Sequence, residues 1–153
     1  MHLLDLCYWL LGELPVSGSL IRTHFWRAPV EDNGVLLLGE RGGVGVESPW
    51  AMIHASWTEW KNMFSLEIYC RDAKFDVQGL VRSYGPQRLA IHRMRPDLGP
   101  PDTEIVQYPD RDTSWEAEWA HFTAALRAAD GRPLLGDLDS AAYAWRCVEA
   151  ATS

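Results

Sequence analysis

The sequence predicts an α+β fold: an open, predominantly antiparallel β-sheet with helices packed on one face and the other face left free. Three observations carry this expectation. Helical periodicity is confined to the two ends of the chain, whereas the middle reads as short strands separated by Gly, Pro, Asp and Ser turns. The connections between successive strands are too short for the crossover that parallel neighbours need, so neighbours must run antiparallel. Strands do not alternate one by one with helices, which excludes a parallel nucleotide-binding sheet.

Residues 2–12 carry Leu3, Cys7, Leu10 and Leu11 at helical spacing, and Gly12 and Pro15 supply the stop. From Val16 to Trp26, Leu20, Ile21, Phe25 and Trp26 sit among Thr, Ser and Arg, a β-favouring mixture closed by Pro29. Segments 34–40 and 44–47, separated by Arg41-Gly42-Gly43, form a predicted hairpin, and Ser48-Pro49 interrupts before a strand at 50–58. Strands follow at 63–71 and 74–80 around the turn Asp72-Ala73. In the first of these, Phe64, Leu66, Ile68 and Cys70 alternate with Ser65, Glu67, Tyr69 and Arg71, the period of a sheet with one covered face and one polar face. After Ser83-Tyr84-Gly85-Pro86 come strands at 88–94 and 103–108, separated by the proline-rich loop 96–101.

Helix signals then return. Thr113-Ser114-Trp115-Glu116 reads as a capping box with Thr113 as N-cap, and Trp115, Trp119, Phe122 and Leu126 form one stripe, expected in the core rather than around a ligand. Asp130-Gly131 ends that helix. A last helix spans 138–151, with Leu138, Ala141, Ala142, Trp145 and Val148 or Cys147 on its apolar side.

A chain of 153 residues, 47% apolar and 23% charged, has the profile of one soluble domain with a real core, and no repeat, low-complexity tract or linker divides it. The net charge of −7 argues against a nucleic-acid partner, and Arg88, Arg93 and Arg95 are interleaved with apolar residues as strand or loop decoration. Cys7, Cys70 and Cys147 show no paired or zinc-type spacing, which fits a reducing, cytoplasmic setting. Leu3 to Leu11 is too short for a membrane span and Asp5 interrupts it. His24, His54, His92 and His121 are scattered without convergent acidic or thiol partners, so no metal site is expected. No Gly-x-Gly-x-x-Gly follows a strand, so no residue is expected to bind a dinucleotide. The eight Trp residues must be covered by a core, a ligand or a partner subunit, and core packing is expected for most of them.

The string His2-Leu-Leu-Asp5-Leu6, continuing to Trp9-Leu10 and Gly12, resembles the second half of the Asp-x-Gly-x-His-x-x-Asp-Leu motif of Gfo/Idh/MocA oxidoreductases. Further matches run along nearly the whole chain. They are Glu31-Asp32-Asn33 opening a strand, His54-Ala-Ser-Trp57-Thr-Glu-Trp60-Lys-Asn, and Glu67-Ile68-Tyr69-Cys70-Arg71-Asp72, which is similar to the family's Glu-Ile-x-Gly-x-x-Gly. The terminal helices with Trp115, Trp119 and Phe122 also resemble the family's ending. The resemblance implies the C-terminal, substrate and oligomerisation domain of an NAD(P)-dependent oxidoreductase acting on a secondary hydroxyl of a sugar or cyclitol. The family's N-terminal Rossmann domain with its Glu-Lys-Pro motif, and the strand and helix that precede the His-bearing motif, have no counterpart here. The expectation is therefore one domain, 1–153, missing its first strand and helix. Truncation, a split gene and a stand-alone protein remain open.

In the family a Lys, an Asp and a His share the hydroxyl proton, and only His2 has a counterpart. A pKa near ~6.5 suits proton exchange at neutral pH, although His2 also reads as a solvent-exposed terminal residue. Asp5, one turn on, reads as a helix-terminus carboxylate favoured by the macrodipole. Strand alternation puts Trp57, Glu59 and Lys61 on one face and Trp60 on the other, where the first three either present an aromatic wall and polar groups to a sugar ring or are buried in a subunit contact. NAD or NADP belongs to an intact relative. The isolated chain is expected to bind neither and to be inactive. Expected partners are a second copy, through the exposed sheet face used by family relatives, and a separate Rossmann domain. The alternatives are a non-catalytic dimeric sheet module for assembly or glycan binding, and an unrelated α+β cone or sandwich around a hydrophobic or glycan ligand.

Overall fold

The computed structural model describes residues 1–27, 29–42, 47–108, 111–128 and 136–152. In chain order the elements are α1 (His2–Leu11), β1 (Val16–Arg22), β2 (Asn33–Leu38), β3 (Ala51–Ser56), β4 (Ser65–Tyr69), β5 (Ala73–Gln78), a 3₁₀ turn (Arg82–Tyr84), β6 (Arg88–Arg93), β7 (Asp102–Gln107), α2 (Ser114–Ala128) and α3 (Leu138–Thr152). The fold is α+β with open antiparallel sheets. The strands sort into two sheets, β1-β2-β3 and β4-β5-β6-β7, in which every paired neighbour is antiparallel. β3 and β4 belong to different sheets, and the segment between them holds Trp60 at φ 55°. The chain forms two compact units, Met1–Thr58 with His121–Ser153, and Glu59–Ala120. Residues 44–46 of the predicted hairpin and the Asp130-Gly131 helix stop lie outside the described residues. β2 takes β1 and β3 as its two partners.

In the first unit, Leu38 and Leu36 of β2 stand opposite Ala51 and Ile53 of β3, and Leu38 also opposes Val16 of β1. Directly opposed side chains share a face. This face meets the helices: Leu4, Leu14, Leu38, Ile53, Tyr143, Ala144 and Cys147 make one buried cluster, flanked by Leu3, Cys7 and Tyr8 of α1. α1 stops at Gly12, which adopts φ 76° and returns its N–H to the Tyr8 carbonyl.

The buried side of α3 agrees with the predicted one at Cys147 and Val148 and differs from it elsewhere. Ser140, Tyr143, Ala144, Cys147 and Ala151 face the core, while Leu138, Ala141, Ala142 and Trp145 are exposed. Polar anchoring sets the rotation. Tyr143 donates to the Leu14 carbonyl (3.0 Å) and accepts from the Leu14 N–H (3.3 Å), and Ser19 donates to the Ala151 carbonyl (3.0 Å). Burial pushes the Tyr143 phenol up to about 12, so it keeps the proton it donates. The Tyr8 and Tyr143 rings lie 5.2 Å apart. Burial also raises the Cys7 thiol, with Cys147 adding to the effect, so Cys7 stays protonated as a small core hydrophobe.

The other face of this first sheet is bare. Leu20, Leu37, Met52 and His54 are exposed there, with Val35 half-buried between them.

In the second unit, Leu66, Val77, Leu89 and Val106 form one cross-strand row, and Ile68, Phe75 and Ile91 the next. All seven are half-buried. The opposite face carries Ser65, Glu67, Tyr69, Lys74, Asp76 and His92, with Ala90 fully buried among them. The alternation read from 63–71 is thus present from Phe64 to Tyr69, but Cys70, expected on the covered face, is exposed, because β4 ends at Tyr69. Arg93 pairs with Glu104 (3.0 Å) and Arg95 with Asp97 (2.9 Å), ion pairs at the sheet surface. Gly79, at φ 76°, is required by close approach, since a Cβ there would lie 2.2 Å from the Pro86 carbonyl oxygen.

Two expectations about α2 change. Its start is capped by Asp112, whose Oδ1 accepts from the Ser114 N–H (3.1 Å) and hydroxyl (2.6 Å), while Glu116 pairs with Arg111. Thr113 keeps the predicted N-cap position, its carbonyl accepting from the Ala117 N–H (3.0 Å), but the side-chain cap comes from the carboxylate one position upstream. The Trp115, Trp119, Phe122 and Leu126 stripe is exposed, and all eight Trp side chains are at least 46% exposed, so they are not the core. Leu, Ile, Val, Ala and one doubly bonded Tyr fill it instead. Among the described residues no helix is long and apolar enough to cross a membrane.

Replacing Tyr143 by Phe removes one donor and leaves the Leu14 N–H unsatisfied, and should cost about 1–3 kcal/mol. Urea unfolding of Tyr143→Phe against the parent checks this; an unchanged midpoint would show that the phenol does not hold α3 in place.

Candidate functional site

His2 opens α1 and is exposed; among the described residues no hydrogen bond, ion pair or ring contact joins it to Trp57. Trp57, Glu59 and Lys61 are all exposed, but β3 ends at Ser56, so strand alternation does not extend over 57–61. Trp57 belongs to the first unit, whereas Glu59 and Lys61 belong to the second.

At the end of the first sheet, Trp57 is fixed by Asp32. The Asp32 carbonyl accepts from the Trp57 N–H (2.9 Å), and the Asp32 N–H donates to the Arg22 carbonyl (3.1 Å). The Asp32 side chain is only 4% exposed. Its Oδ1 accepts from the His24 N–H (2.8 Å) and Asn33 Nδ2 (3.0 Å), and its Oδ2 from the N–H groups of Phe25 (2.7 Å) and Trp26 (2.9 Å). One carboxylate therefore organises three consecutive amides, and Asn33 continues the network to Thr58 (3.0 Å). Burial opposes the charge, but these hydrogen bonds outweigh it and hold the carboxyl well below the usual carboxylate range. Asp32 was visible in the sequence only as part of Glu31-Asp32-Asn33. Its signal is an acidic residue between a proline-bearing loop and an apolar strand, where free amides need an acceptor.

A denser constellation sits at one end of the second sheet. The register Ser65↔Gln78↔Arg88↔Gln107 brings the loop before β4, the loop between β5 and β6 and the segment after β7 to the same edge. Backbone bonds continue the pairing there, Gly79 N–H to the Phe64 carbonyl (3.1 Å) and Tyr108 N–H to the Gln87 carbonyl (3.0 Å). Asn62 Nδ2 donates to Ser83 Oγ (2.7 Å) and ties the first two loops together. Arg82 stands 3.8 Å from Asp112.

This edge holds three of the four described non-glycine residues with positive φ: Trp60 (55°), Val81 (56°) and Arg82 (52°). Such conformations cost on the order of 1–3 kcal/mol each and gather at functional sites. Glu59, Lys61 and Tyr84 share the edge, which therefore offers exposed aromatic rings, two cations, a carboxylate and hydroxyls. The predicted Glu59 and Lys61 lie in the loop that the Asn62–Ser83 bond ties to the turn bearing Arg82 and Tyr84, which the sequence did not mark.

The described residues do not suit a dinucleotide. Every strand pairing is antiparallel, and no strand, glycine loop and helix are joined into a phosphate cradle. Among the described residues no group of three or more His, Cys, Asp or Glu side chains is placed to hold a metal ion.

No family model matches the chain, and no curated protein matches it. Its fold is similar to part of the structure of yvaA, an oxidoreductase candidate from Bacillus subtilis solved in a triclinic crystal form. The TM-score is 0.69 at 15% identity, over 99% of this chain and 45% of that one. The chain thus spans less than half the length of the structure it matches. At that identity the likeness is one of fold.

Asp32 also gives a pH dependence with a definite sign. Its folded pKa lies below the unfolded value of ~3.9, so its stabilisation is complete above that value and is lost as the pH falls through the folded one. Asp32→Asn should therefore be less stable than the parent at neutral pH, with the gap narrowing below about pH 4. Urea midpoints measured at neutral and acid pH check this. A gap constant across the range would show that the carboxylate charge is not what the amides recognise.

Proposed function

We propose that these residues form the substrate-binding and oligomerisation part of an NAD(P)-dependent oxidoreductase acting on a secondary hydroxyl of a sugar or cyclitol. The observation that carries the reading is the fold likeness, which extends over 99% of this chain and leaves more than half of the oxidoreductase candidate unaccounted for. The Gfo/Idh/MocA resemblance at His2-Leu-Leu-Asp5-Leu6, at Trp57 to Asn62 and at Glu67 to Asp72 agrees with it. In this reading the redox cofactor is held by a Rossmann domain outside these residues, in the cytoplasm. Within the chain, His2 handles the hydroxyl proton, and Trp57, Glu59 and Lys61 contact the substrate.

The bare apolar face of the first sheet supports self-association, since contiguous exposed apolar surface marks interaction sites. The purified chain should sediment as a dimer or larger species at micromolar concentration. Met52→Glu and Leu37→Glu, both at exposed positions, should shift it to monomer without lowering the unfolding midpoint. A parent that is already monomeric would remove the assembly part of the proposal.

The cofactor part is tested separately. Titration of the isolated chain with NADH, followed by nicotinamide fluorescence, should give no saturable signal, and a separately produced Rossmann-domain partner should restore binding and turnover. Tight binding of NADH by the chain alone would overturn this assignment.

A further inference from the structure

The outer strands of the two sheets are β1, β3, β4 and β7, and all but β3 are guarded against pairing. On β1 the register shifts between Val16 and Gly18, Arg41 takes the Ser17 carbonyl (2.6 and 2.9 Å), and Ser19 is bonded to the Ala151 carbonyl (3.0 Å). β4 carries Glu67 at its centre, and β7 follows Pro100-Pro101 and carries Asp102 and Glu104. β3 has none of these devices. Ala51–Ser56 includes no Asp, Glu, Lys, Arg, Pro or Gly, and its pairing with β2 runs without a shift in register.

The hydrogen-bond pattern fixes which groups β3 turns outward. The Trp57 N–H donates to the Asp32 carbonyl, and the register continues from that pair to Leu38↔Ala51. An antiparallel ladder alternates, so Ala51, Ile53 and Ala55 bond to β2, whereas Met52, His54 and Ser56 direct their N–H and carbonyl groups away from it. Among the described residues no hydrogen bond reaches these outward groups. Met52 and His54 are exposed.

The occupant that fits this edge is a second copy. Antiparallel pairing about a twofold axis at His54 sets Met52 of each copy opposite Ser56 of the other, so identical groups satisfy one another and the contact closes. A second copy also covers more than the strand. α1 packs against β3 as α3 packs against β1, and α1 keeps Trp9 and Leu10 exposed. Edge-to-edge pairing extends the sheet and the helix layer together, whereas a lone added strand brings no second layer.

We infer that β3 is the strand through which two copies of this chain pair, with Met52, His54 and Ser56 of each exchanging backbone hydrogen bonds. The inference rests on the proposal that the chain self-associates, and it names the edge that does so.

Amide hydrogen exchange of the whole chain tests it, read residue by residue by NMR over a dilution series that sedimentation shows to run from assembled to monomeric. On assembly the amides of Met52, His54 and Ser56 should exchange at least about tenfold more slowly, while those of Ile53 and Ala55, already bonded to β2, change less. His54→Pro removes an N–H that β2 does not use and should raise the dimer dissociation constant at least about tenfold. His54→Lys keeps the N–H but sets like charges opposite one another across the axis. It should weaken assembly in the same direction, with the monomer's unfolding midpoint near that of the parent.

The inference is overturned if the assembled chain leaves these outward amides unprotected, an outcome that keeps self-association through the bare face. It is also overturned if their protection persists unchanged in the monomer, which would assign the edge to a segment of the same chain, or if His54→Lys associates like the parent. A parent that is monomeric at every concentration removes self-association and this inference with it.

Discussion

The first unit depends on a hydrogen-bonded closure between residues 129 positions apart, the Tyr143 phenol and the backbone of Leu14. Leu14 lies in the short connection from α1 to β1, where its N–H and carbonyl have left the helix and not yet entered the sheet. A buried backbone group in that position needs a partner, and Tyr143 serves both halves of the peptide from one oxygen. That fixes the rotation of α3, turns Ala144, Cys147 and Ala151 inward, and brings α3 against β1 and α1. With α1 and α3 committed to one face of the sheet, the other carries exposed side chains such as Leu20, Leu37 and Met52 among the described residues.

This closure also explains where the sequence could and could not be read. Element ends were legible because they rest on local chemistry: Gly12 stops α1, and strand turns carry Asp72-Ala73 or Gly85-Pro86. The orientation of α3 was not, because counting apolar residues favours Leu138 and Trp145. The decisive side chains, Ser140 and Tyr143, are chosen for long-range polar bonds that no window of sequence contains. The same limit applies to the Trp residues. Size and apolarity predict burial, yet the cores here are built from aliphatic side chains that fit between strands and helices, and the indoles stand outside.

The candidate sites show a similar division. Glu59 and Lys61 could be marked from residue type and spacing, but strand alternation does not apply to them, because the backbone leaves the extended region at Trp60. Arg82 carries no sequence signal at all. Its interest comes from a dihedral angle and from a neighbour 21 positions away, the Asn62 side chain bonded to Ser83. Asp32 is intermediate: its type and place before a strand hint at capping, but the convergence of three amides on it requires the folded loop.

Antiparallel topology bears directly on where chemistry can sit. In a parallel α/β sheet all strands end at one edge, helix N-termini gather there, and backbone amides build an anion site at little conformational cost. When neighbours alternate in direction, as in both sheets here, each edge mixes strand starts with strand ends, and helix N-termini do not gather at one of them as they do in a parallel sheet; α2 begins beside one edge of the second sheet, where its cap Asp112 stands 3.8 Å from Arg82. The side chains at such an edge come from the loops, and in the second sheet three of them, Trp60, Val81 and Arg82, stand on a left-handed backbone. Asn62 and Ser83 tie the loop before β4 to the turn after β5 by one side-chain hydrogen bond (2.7 Å).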